Sequence, residues 1–468
     1  MHLYLQFIVG LFLAYIMKKI FLTKKEKEIP GMEPSSKDMG NLEDLGQAGS
    51  LHQFLVRLHG KYGKITSFWF GTQKVVSISS PEMFKEQQSV FDRPPILFKF
   101  FEPLIGPNSL QYTNKDAGKA KRREYDRSMS HKAITRYLGE FNAVINEIMD
   151  MLCKDMERGV TEHALCTHMA TFALKADLMT LFGYVSDDSK ITEFQNNYNI
   201  YWSAMEASLG GKCPEPGSKE EEDLQTALKG AKDFVKGVVE IRQKLEIREE
   251  NERFIDILIR HSADEETLLD DAVTYVVGGF HTTANYLIWG IYFLAGNSAV
   301  QDRLHVEILE HCEKDESISM STISKCVYLK QVSDETLRCS VLAPFAARYL
   351  DEDILLGGYP IPGRTPIVHA LGVSLHNPEY FPEPSKFDPD RFSPENIKNR
   401  PKTAFQPFGV GKRICPANRF ANMEAAVCIA AMVRKFEIGL VDGQKIEAVH
   451  GLVTHPSTEI MITLKHRH

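Results

Sequence analysis

The sequence predicts a mainly α-helical fold with small β-sheets, and three observations carry that prediction. Long helical patterns run through residues 131–250, and an apolar stretch from Ser262 to Ala295 has no turn motif strong enough to stop a helix. The β-rich segments are short: Ile65–Phe70 and Val75–Ile78 are typical of a hairpin, and Ile354–Ile367 of a small β unit with tight turns.

Composition allows a large globular core and argues against some functions. The 468 residues are 43% hydrophobic and 25% charged, enough for one large domain or two or three average ones. A net charge of -7 argues against a general nucleic-acid binder, so we expect no nucleic-acid partner. The eight cysteines are scattered without a CxxC pair, which disfavours a zinc site or a disulfide framework and suits a reducing compartment.

The amino terminus predicts a membrane anchor. Leu3 to Met17 is almost entirely apolar, and a run of lysines follows between Lys18 and Lys27. With the first lysines snorkelling to the headgroups, an uncleaved helix over residues 1–23 could cross a bilayer and leave the rest of the chain in the cytosol. The alternative is an ordinary buried helix. The polar residues 24–48, rich in turn formers, are predicted to be a linker.

The next elements alternate between short helices and loops. A helix is predicted from Leu51 to Tyr62, before the hairpin. Leu97–Ile105 is an aromatic, proline-punctuated stretch that we predict to be a loop, either packed or forming a substrate wall. Lys119–Arg123 is a basic cluster that opens a helix running past Met129, and such a cluster is usually only a solvated face.

The long apolar helix contains an unusual motif. It is predicted to begin at a capping box, Ser262-Ala-Asp-Glu265, and its apolar residues cover all faces, so it should pass through the protein centre. Gly278-Gly-Phe-His-Thr-Thr283 lies inside it. Two mid-helix glycines each cost nearly 1 kcal/mol relative to alanine, so something must need the space. Thr282 can bond back to the carbonyl of Gly278 and loosen the helix, although simple packing is the plainer explanation.

Two further motifs precede the carboxyl-terminal helix. Glu335-Thr-Leu-Arg338 places an acid and a base one turn apart on a helix, and Pro344 is predicted to end that helix. Phe387-Asp-Pro-Asp-Arg-Phe392 lies in a proline-rich segment without regular structure. Long irregular segments in compact proteins are usually functional.

The loop Phe408–Ala417 carries a single soft ligand, Cys415. Two glycines let the backbone turn tightly against something flat, and Pro416 suits the first position of a helix. Cys415 would then lie at the positive end of a helix dipole, which favours the thiolate and makes it a candidate ligand for haem iron. The alternative for the loop alone is one more buried, inert cysteine.

Four motifs therefore stand in a fixed order: a glycine-threonine motif in a long helix, ExxR, DPDRF and FGxGxRxC. Together they resemble the cytochrome P-450 superfamily of haem-thiolate monooxygenases along the whole chain. Ile29-Pro-Gly31, Gly49–Val56 and Tyr62–Gly71 resemble cytochrome P-450 family twenty more closely. The resemblance implies the cytochrome P-450 fold, with a long central helix over haem and a single large catalytic domain at residues 49–468.

The resemblance also assigns roles to single residues. Cys415 would be the axial thiolate of haem b (iron protoporphyrin IX), Phe408 would shield it, and Thr282 matches the threonine that helps protonate dioxygen beside Gly279. The remaining matches are structural or bind the cofactor: the propionate arginines Arg122, Arg348 and Arg413, and the triad Glu335, Arg338 and Arg391 that props the haem loop. An arginine suits the triad because its planar fork can bind a carboxylate and backbone carbonyls together.

Three positions depart from the family pattern. His281 stands where an acid usually precedes the threonine, so the usual proton route is in doubt, although a histidine could still relay protons. Gly118 replaces a tryptophan that usually clamps the haem four residues before Arg122. Ala417 stands where glycine is common, which is a mild change.

The resemblance implies a monooxygenase in the endoplasmic reticulum membrane that oxidises a small apolar, lipid- or sterol-like substrate. Its expected partners are membrane lipid, NADPH-dependent cytochrome P-450 reductase and, as a second electron donor, cytochrome b5. Lys412, Lys121 and Arg123 are expected to meet an acidic reductase. Loop position suggests Phe98 and Trp202, together with Phe101, as pocket walls. Two alternatives remain open: a haem-binding sensor or carrier with little turnover, and a haem-thiolate isomerase or dehydratase acting on peroxides.

Overall fold

The computed structural model describes residues 28–209, 212–313 and 316–467. The anchor predicted over residues 1–23 lies outside these ranges. Within them, no helix is both long enough and apolar enough to cross a membrane.

Helices form most of the described chain, as the sequence predicts. The α-helices are α1 (Leu42–Ala48), α2 (Leu51–Tyr62), α3 (Pro81–Glu86), α4 (Glu102–Ile105), α5 (Lys115–Ser128), α6 (His131–Ile134), α7 (Leu138–Glu157), α8 (Leu165–Leu181), α9 (Asp188–Leu209), α10 (Lys219–Gln243), α11 (Phe254–His261), α12 (Glu265–Ala295), α13 (Ser298–His311), α14 (Met320–Lys325), α15 (Val327–Ser340), α16 (Leu371–Leu375) and α17 (Asn418–Lys435). Short 3₁₀ helices span Pro95–Phe101, Thr135–Tyr137, Glu249–Asn251, Pro389–Phe392, Asn396–Asn399, Lys402–Ala404 and Gly411–Arg413.

The strands form small sheets at the edges of this helical body. They are β1 (Ile65–Phe70), β2 (Gln73–Ile78), β3 (His163–Ala164), β4 (Ala346–Arg348), β5 (Ile354–Leu356), β6 (Tyr359–Ile361), β7 (Ile367–His369), β8 (Phe436–Leu440), β9 (Ala448–His450), β10 (Thr454–Pro456) and β11 (Met461–His466). The largest sheet has the order β1-β2-β7-β4, in which β2 and β7 are parallel and the other neighbours antiparallel. Strand β11 joins β3 to β8, and two further pairs are β5-β6 and β10-β9.

The described part of the predicted linker is packed onto the first sheet. The backbone N–H of Met32 donates to the carbonyl of Ser67 at 2.8 Å, and Gly40 bridges to Phe70. Helix α1 then buries Leu45 against the same region. Folded contacts therefore begin before residue 49, because backbone pairing with β1 and apolar side chains on α1 outweigh the many turn-forming residues.

Helix α12 is the centre of the molecule. It spans 31 residues, is buried on most of its surface, and packs against α8, α15 and α17. The predicted end at Ala295 is confirmed, but the predicted cap is wrong. Asp264 is the N-cap and accepts from the backbone N–H of Thr267 at 2.7 Å, whereas Ser262 ends α11. A carboxylate caps a helix as well as a hydroxyl, which is why Asp264 can take the place of Ser262.

Other predicted boundaries also differ. Helix α2 and strand β1 match their predicted spans, but Leu97–Ile105 is helical rather than a loop, since a 3₁₀ turn runs directly into α4. Helix α5 begins at Lys115 and ends at Ser128, so it starts before the basic cluster and does not pass Met129. Helix α15 ends at Ser340 because Val341 adopts a left-handed conformation, before Pro344 is reached.

Candidate active site

The Cys415 loop is held by its backbone. The N–H of Cys415 donates to the carbonyl of Phe408 at 2.9 Å, and the N–H of Lys412 donates to the carbonyl of Gln88 at 3.0 Å. Gly409 and Gly411 both have positive φ, at 82° and 64°. A Cβ on Gly411 would lie 1.8 Å from the Gln88 carbonyl oxygen, so only glycine fits there. Helix α17 begins two residues after Pro416, later than predicted.

Cys415 opens onto a cavity of about 330 Å³ beneath α12. The predicted thiolate ligand and the glycine-threonine motif line the same cavity. Gly278, Gly279 and Thr282 contribute to its walls together with Cys415. Much of the remaining lining is apolar, with Leu110, Leu342, Ala343, Phe345, Leu371, Phe408 and Phe420. The loop and the central helix motif, more than 130 residues apart in sequence, thus form one site.

Four arginines surround the same cavity. Arg122 donates to the carbonyl of Ile414 at 2.9 Å, and Arg348 donates to that of Val410 at 3.2 Å, so both also brace the Cys415 loop. Arg413 donates to the carbonyl of Thr113 at 2.8 Å and lies over the ring of Phe91, 4.2 Å from its centroid. The fourth member, Arg93, was not predicted.

Arg93 bonds Gln111 through its guanidinium and lines the cavity beside the three predicted arginines. In the sequence it follows Phe91-Asp92 and precedes two prolines, a pattern that indicates only a helix break. Its approach to the cavity depends on how the segment from Pro94 to Asn114 folds back, which is tertiary information. The carbonyl and amide of Arg93 both pair with the side chain of Asn114.

The arginine cluster fits a dianionic group such as the propionates of haem. Burial and repulsion among the four lower the pKa of Arg413 to about 8, of Arg348 to about 9 and of Arg93 to about 10. Guanidinium groups stay protonated in proteins, so a bound anion is needed to offset the repulsion among the four. Nε of Arg348 has no hydrogen-bond partner among the described residues.

The pKa of Cys415 lies above its ordinary value, so in the protein alone the thiol is favoured over the thiolate that the sequence predicts. Burial raises its pKa, whereas the backbone N–H of Ala417 and the charges of Arg122 and Arg93 lower it. A soft metal would complete this balance by binding the thiolate directly. One soft ligand, a ring of cations and an apolar slot therefore fit haem in their donor chemistry.

The predicted triad is assembled and buried. Arg338 binds both carboxylate oxygens of Glu335, at 2.7 and 2.8 Å, and the carboxylate also lies 3.3 Å from Nε of Arg391. Arg338 donates as well to the carbonyls of Pro384 and Lys386, at 2.8 and 3.1 Å. The arginine fork thus links α15 to the irregular segment that leads to the Cys415 loop.

The glycine-threonine motif is loosened as predicted. The hydroxyl of Thr282 donates to the carbonyl of Gly278 at 2.6 Å, which confirms the expected back-bond. The two glycines differ in their surroundings. Nothing described lies within 4 Å of a Cβ placed on Gly278, whereas one on Gly279 would lie 2.1 Å from a carboxylate oxygen of Asp177. Asp177 also lines the cavity and was not singled out from the sequence.

His281 does not share the cavity wall with Thr282. Its ring packs 4.4 Å from the ring of Trp202 and 5.4 Å from that of Tyr198, and its Nε2 has no partner among the described residues. Burial, with a smaller contribution from His455, lowers the pKa of His281 to about 3. The ring is therefore neutral near pH 7, and this geometry gives no support to a proton relay through it.

None of the three predicted pocket walls, Phe98, Phe101 and Trp202, lines the Cys415 cavity. Trp202 packs on His281 and Phe101, while Phe98 lines a separate apolar cavity of about 500 Å³. At Gly118 a Cβ would lie 2.2 Å from the carbonyl oxygen of Thr113, so close backbone packing explains why no large clamp residue stands there. Of the predicted docking cations, Lys121 is tied to Asp271 at 2.9 Å and is mostly buried.

Comparisons with known proteins agree with this arrangement. A family profile described as "Cytochrome P450" matches residues 30–463. "Cytochrome P450 20A1" of Rattus norvegicus is 30% identical and that of Bos taurus 29% identical, each over 99% of both chains. "Cytochrome P450 4V2" of Mus musculus is 28% identical over 86% of this chain and 82% of its own.

Proposed function

Because the chain belongs to the cytochrome P450 family, we propose that it is a haem-thiolate monooxygenase that oxidises a small apolar, lipid- or sterol-like molecule with electrons from NADPH-dependent cytochrome P450 reductase. Membership makes it an oxidoreductase with haem b as cofactor. The observation that supports the finer proposal is the cavity in which Cys415, four arginines and the Thr282 motif meet within an apolar lining.

We assign cofactor binding to residues of that cavity. Cys415 would be the thiolate ligand, with Phe408 covering it, and Arg122, Arg348 and Arg413 would bind the propionates together with Arg93. When bound, haem supplies the one-electron and dioxygen chemistry that amino-acid side chains lack. The hydrogen bond between Cys415 and Phe408 fixes the position of the sulfur, since the backbone of the loop is anchored on Gln88.

The triad has a supporting role in this assignment. Glu335 joins Arg338 and Arg391 and also accepts from the backbone N–H of Asp388 at 2.8 Å. Each hydrogen bond fixes a part of the segment that precedes the Cys415 loop. These residues would therefore hold the ligand loop in place rather than take part in the chemistry.

Thr282 would act on the oxygen side. Its hydroxyl donates to the carbonyl of Gly278 and keeps its lone pairs available. The hydroxyl oxygen can therefore accept a hydrogen bond from a proton donor and hold that donor at a fixed position in the cavity. Gly279 leaves backbone space beside it. His281, the other predicted catalytic residue, would instead shape the aromatic wall with Trp202.

Cavity chemistry supports an apolar substrate. Leu342, Phe345 and Leu371 contribute apolar surface to the cavity, and apolar walls suit an apolar ligand. A second apolar cavity, lined by Phe98 and Leu452, gives space nearby for a longer apolar chain. A substrate that resides in membrane lipid would match a chain anchored by residues 1–23 in the endoplasmic reticulum, with 24–48 leading into a catalytic domain over 49–468.

Electron delivery is assigned to the surface outside the Cys415 loop. Lys412 of the loop and Arg123 of α5 are exposed, whereas Lys121 is committed to Asp271. Opposite charges accelerate docking, so an acidic reductase, or cytochrome b5, suits this surface. We expect Lys412→Glu to slow the first electron transfer by about threefold to tenfold at low salt, and the effect to shrink as salt rises.

The matched control for that variant is Lys74→Glu, on β2, which is exposed on the first sheet. Stopped-flow reduction under carbon monoxide measures the rate directly. Equal rates for both variants and the wild type at low salt would remove Lys412 from the docking surface.

One pair of experiments tests the proposed function as a whole. The reduced carbon monoxide complex should absorb at the red-shifted position of a thiolate-ligated haem. With reductase, NADPH and an apolar substrate, product should contain one atom of labelled dioxygen. A normal spectrum with no NADPH oxidation would favour a sensor or carrier, and product formed from peroxides without reductase would favour an isomerase or dehydratase.

A further inference from the structure

Two carboxyl groups are buried without partners beneath the central helix. Asp177 of α8 and Glu424 of α17 are both 0% exposed, and none of their four oxygens has a hydrogen-bond partner among the described residues. Buried carboxylates are usually paired, as Glu335 is with Arg338 and Asp271 with Lys121. An unpaired pair of acids in the core is therefore an exception that calls for a role.

Asp177 reaches into the cavity at the position of the glycine-threonine motif. Its carboxylate oxygen lies 2.1 Å from where a Cβ of Gly279 would stand, so the missing side chain of that glycine admits the carboxyl group. Asp177, Gly279 and Thr282 all line the same cavity. Asp177 and Thr282 are polar groups of that wall, and polar partners of this kind are what an ordered bridging water requires.

The surroundings of the pair favour the protonated acids. Burial raises the pKa of Asp177 well above its ordinary value, and burial together with the nearby Asp177 raises that of Glu424. The titratable neighbour from α17 is Cys428, whose thiol pKa is raised by burial and by Glu424. No cation among the described residues offsets these effects, so neither carboxyl is held in its charged form.

A monooxygenase consumes protons on the side of the cavity where Thr282 lies. Inserting one oxygen atom into a C–H bond uses dioxygen, two electrons and two protons, and releases the other oxygen atom as water. His281, at the position before Thr282, is packed on Trp202 with a neutral ring. The helix motif itself therefore provides no acid for this task.

We propose that Asp177, backed by Glu424, is the acid that delivers protons to the Thr282 side of the cavity. The proposal rests on the monooxygenase function given above. It moves the proton donor from α12 to the neighbouring helix α8 and gives Gly279 a second purpose, which is to let that donor enter.

Proton balance is simple in this arrangement. The O–H bond of the Asp177 carboxyl breaks, its electron pair stays on the carboxylate, and the proton passes through cavity water towards the hydroxyl of Thr282. Glu424 can return a proton to Asp177, and bulk water refills the pair between turnovers. Because no cation stabilises the carboxylate, the acid form is restored readily.

The first test is the rate of NADPH oxidation by the haem-loaded protein with reductase, in H₂O and in D₂O. Asp177→Asn keeps the shape and neutral charge but removes the acid, so we expect a fall of about tenfold or more and a larger solvent isotope effect. Glu424→Gln should show a smaller fall in the same direction. An unchanged rate and isotope effect in Asp177→Asn would overturn the proposal.

Asp270→Asn is the matched control. Asp270 is a buried acid of α12 whose pKa is also raised by burial, but it bonds the backbone N–H of Asn108 and lies outside the cavity lining. We expect its rate and isotope effect to stay within about twofold of the wild type, because it has no access to the cavity. Equal losses in Asp177→Asn and Asp270→Asn would mean a structural effect and would contradict the assignment.

The second test does not depend on turnover. Infrared spectra of the resting protein near neutral pH should contain the carbonyl stretch of a protonated carboxyl that disappears in Asp177→Asn and shifts in Glu424→Gln. Absence of that band in the wild type would contradict the proposal even if the enzyme is active. A wild type that shows the band but does not oxidise NADPH would instead refute the reductase-driven function.

Discussion

The two faces of the cavity differ in how many hydrogen bonds hold their polar groups. On the face of Cys415, backbone and side-chain groups are held by several bonds at once, with Arg122 and Arg348 both donating to loop carbonyls. On the face of α12, the helix is loosened by Thr282, and Asp177 in the cavity wall has no hydrogen-bond partner among the described residues. The same holds for Glu424 near it. In the proposed function, the groups that would hold the cofactor each make several bonds, and the groups that would exchange protons have no fixed partner among the described residues.

The difference has a physical basis. A ligand sulfur is useful when its position does not change, and multiple hydrogen bonds to charged guanidinium groups provide that rigidity. A proton donor must lose and regain its proton, so a strong permanent partner would fix one protonation state. Substitutions on the two faces should therefore fail in different ways.

The largest expected effect is on the Cys415 face. Cys415→Ser keeps the size of the side chain but replaces a soft ligand with a hard, weakly acidic one. We expect complete loss of the red-shifted band of the reduced carbon monoxide complex, measured on purified protein.

Cys428→Ser is its control, because Cys428 is a buried cysteine of the next helix that does not line the cavity. That variant should keep the band. A red-shifted band in Cys415→Ser would show that another residue supplies the ligand.

The next largest effect concerns the support of the same loop. Glu335→Gln would leave Arg338, which is 0% exposed, with a buried and poorly balanced charge. Breaking one partner of such a pair typically costs about 3–5 kcal/mol. We expect a loss of that order in the free energy of unfolding, measured by chemical denaturation.

Asp334→Asn, one residue earlier, is the matched comparison. Asp334 pairs with Lys330, which is 64% exposed, in an i,i+4 bridge of the kind worth about 0.3–0.5 kcal/mol. If both variants lose the same free energy of unfolding, the buried Glu335 triad contributes no more to stability than the exposed Asp334–Lys330 bridge.

Much of the Cys415 face was predictable from the sequence, because its residues are close together or belong to spaced motifs. Glu335 and Arg338 are one helical turn apart, and the two glycines before Cys415 mark a tight loop in which only glycine fits at Gly411. Helix α12 could be predicted for a similar reason, since its apolar residues cover all faces and Ala295 precedes a glycine.

The other face was less predictable for a physical reason. Asp177 and Glu424 are isolated acids within helical patterns, and an acid on a helix is normally solvated. Their burial follows from how α8, α12 and α17 pack, which no local pattern encodes. His281 could be noticed as a departure, but its contact with Trp202 depends on the fold of α9 over α12.

The two adjacent glycines sharpen the comparison within α12 itself. Gly279→Ala would place a methyl group 2.1 Å from the Asp177 oxygen, and such overpacking costs about 1–3 kcal/mol. Gly278→Ala meets nothing described within 4 Å and should gain up to about 1 kcal/mol from helix propensity. Chemical denaturation of the two variants gives the sign of each change in the free energy of unfolding. Stabilisation by both would mean that Asp177 does not occupy the space beside Gly279.

The smallest effect expected is a change in how stability depends on pH. Burial raises the pKa of Asp177 above its unfolded value of about 3.9, so its contribution is fully present below about pH 4 and is lost as pH rises through the folded pKa. Asp177→Asn removes that loss, because an amide does not titrate. Relative to the wild type, the free energy of unfolding of the variant should therefore be little changed near about pH 4 and clearly higher near about pH 7. Glu424 still titrates in the variant, but it no longer faces a second acid, so the remaining pH dependence should be shallower. The same gain in the free energy of unfolding at both pH values would mean that Asp177 does not change its protonation on folding. Asp177 would then not be the exchangeable acid of the α12 face.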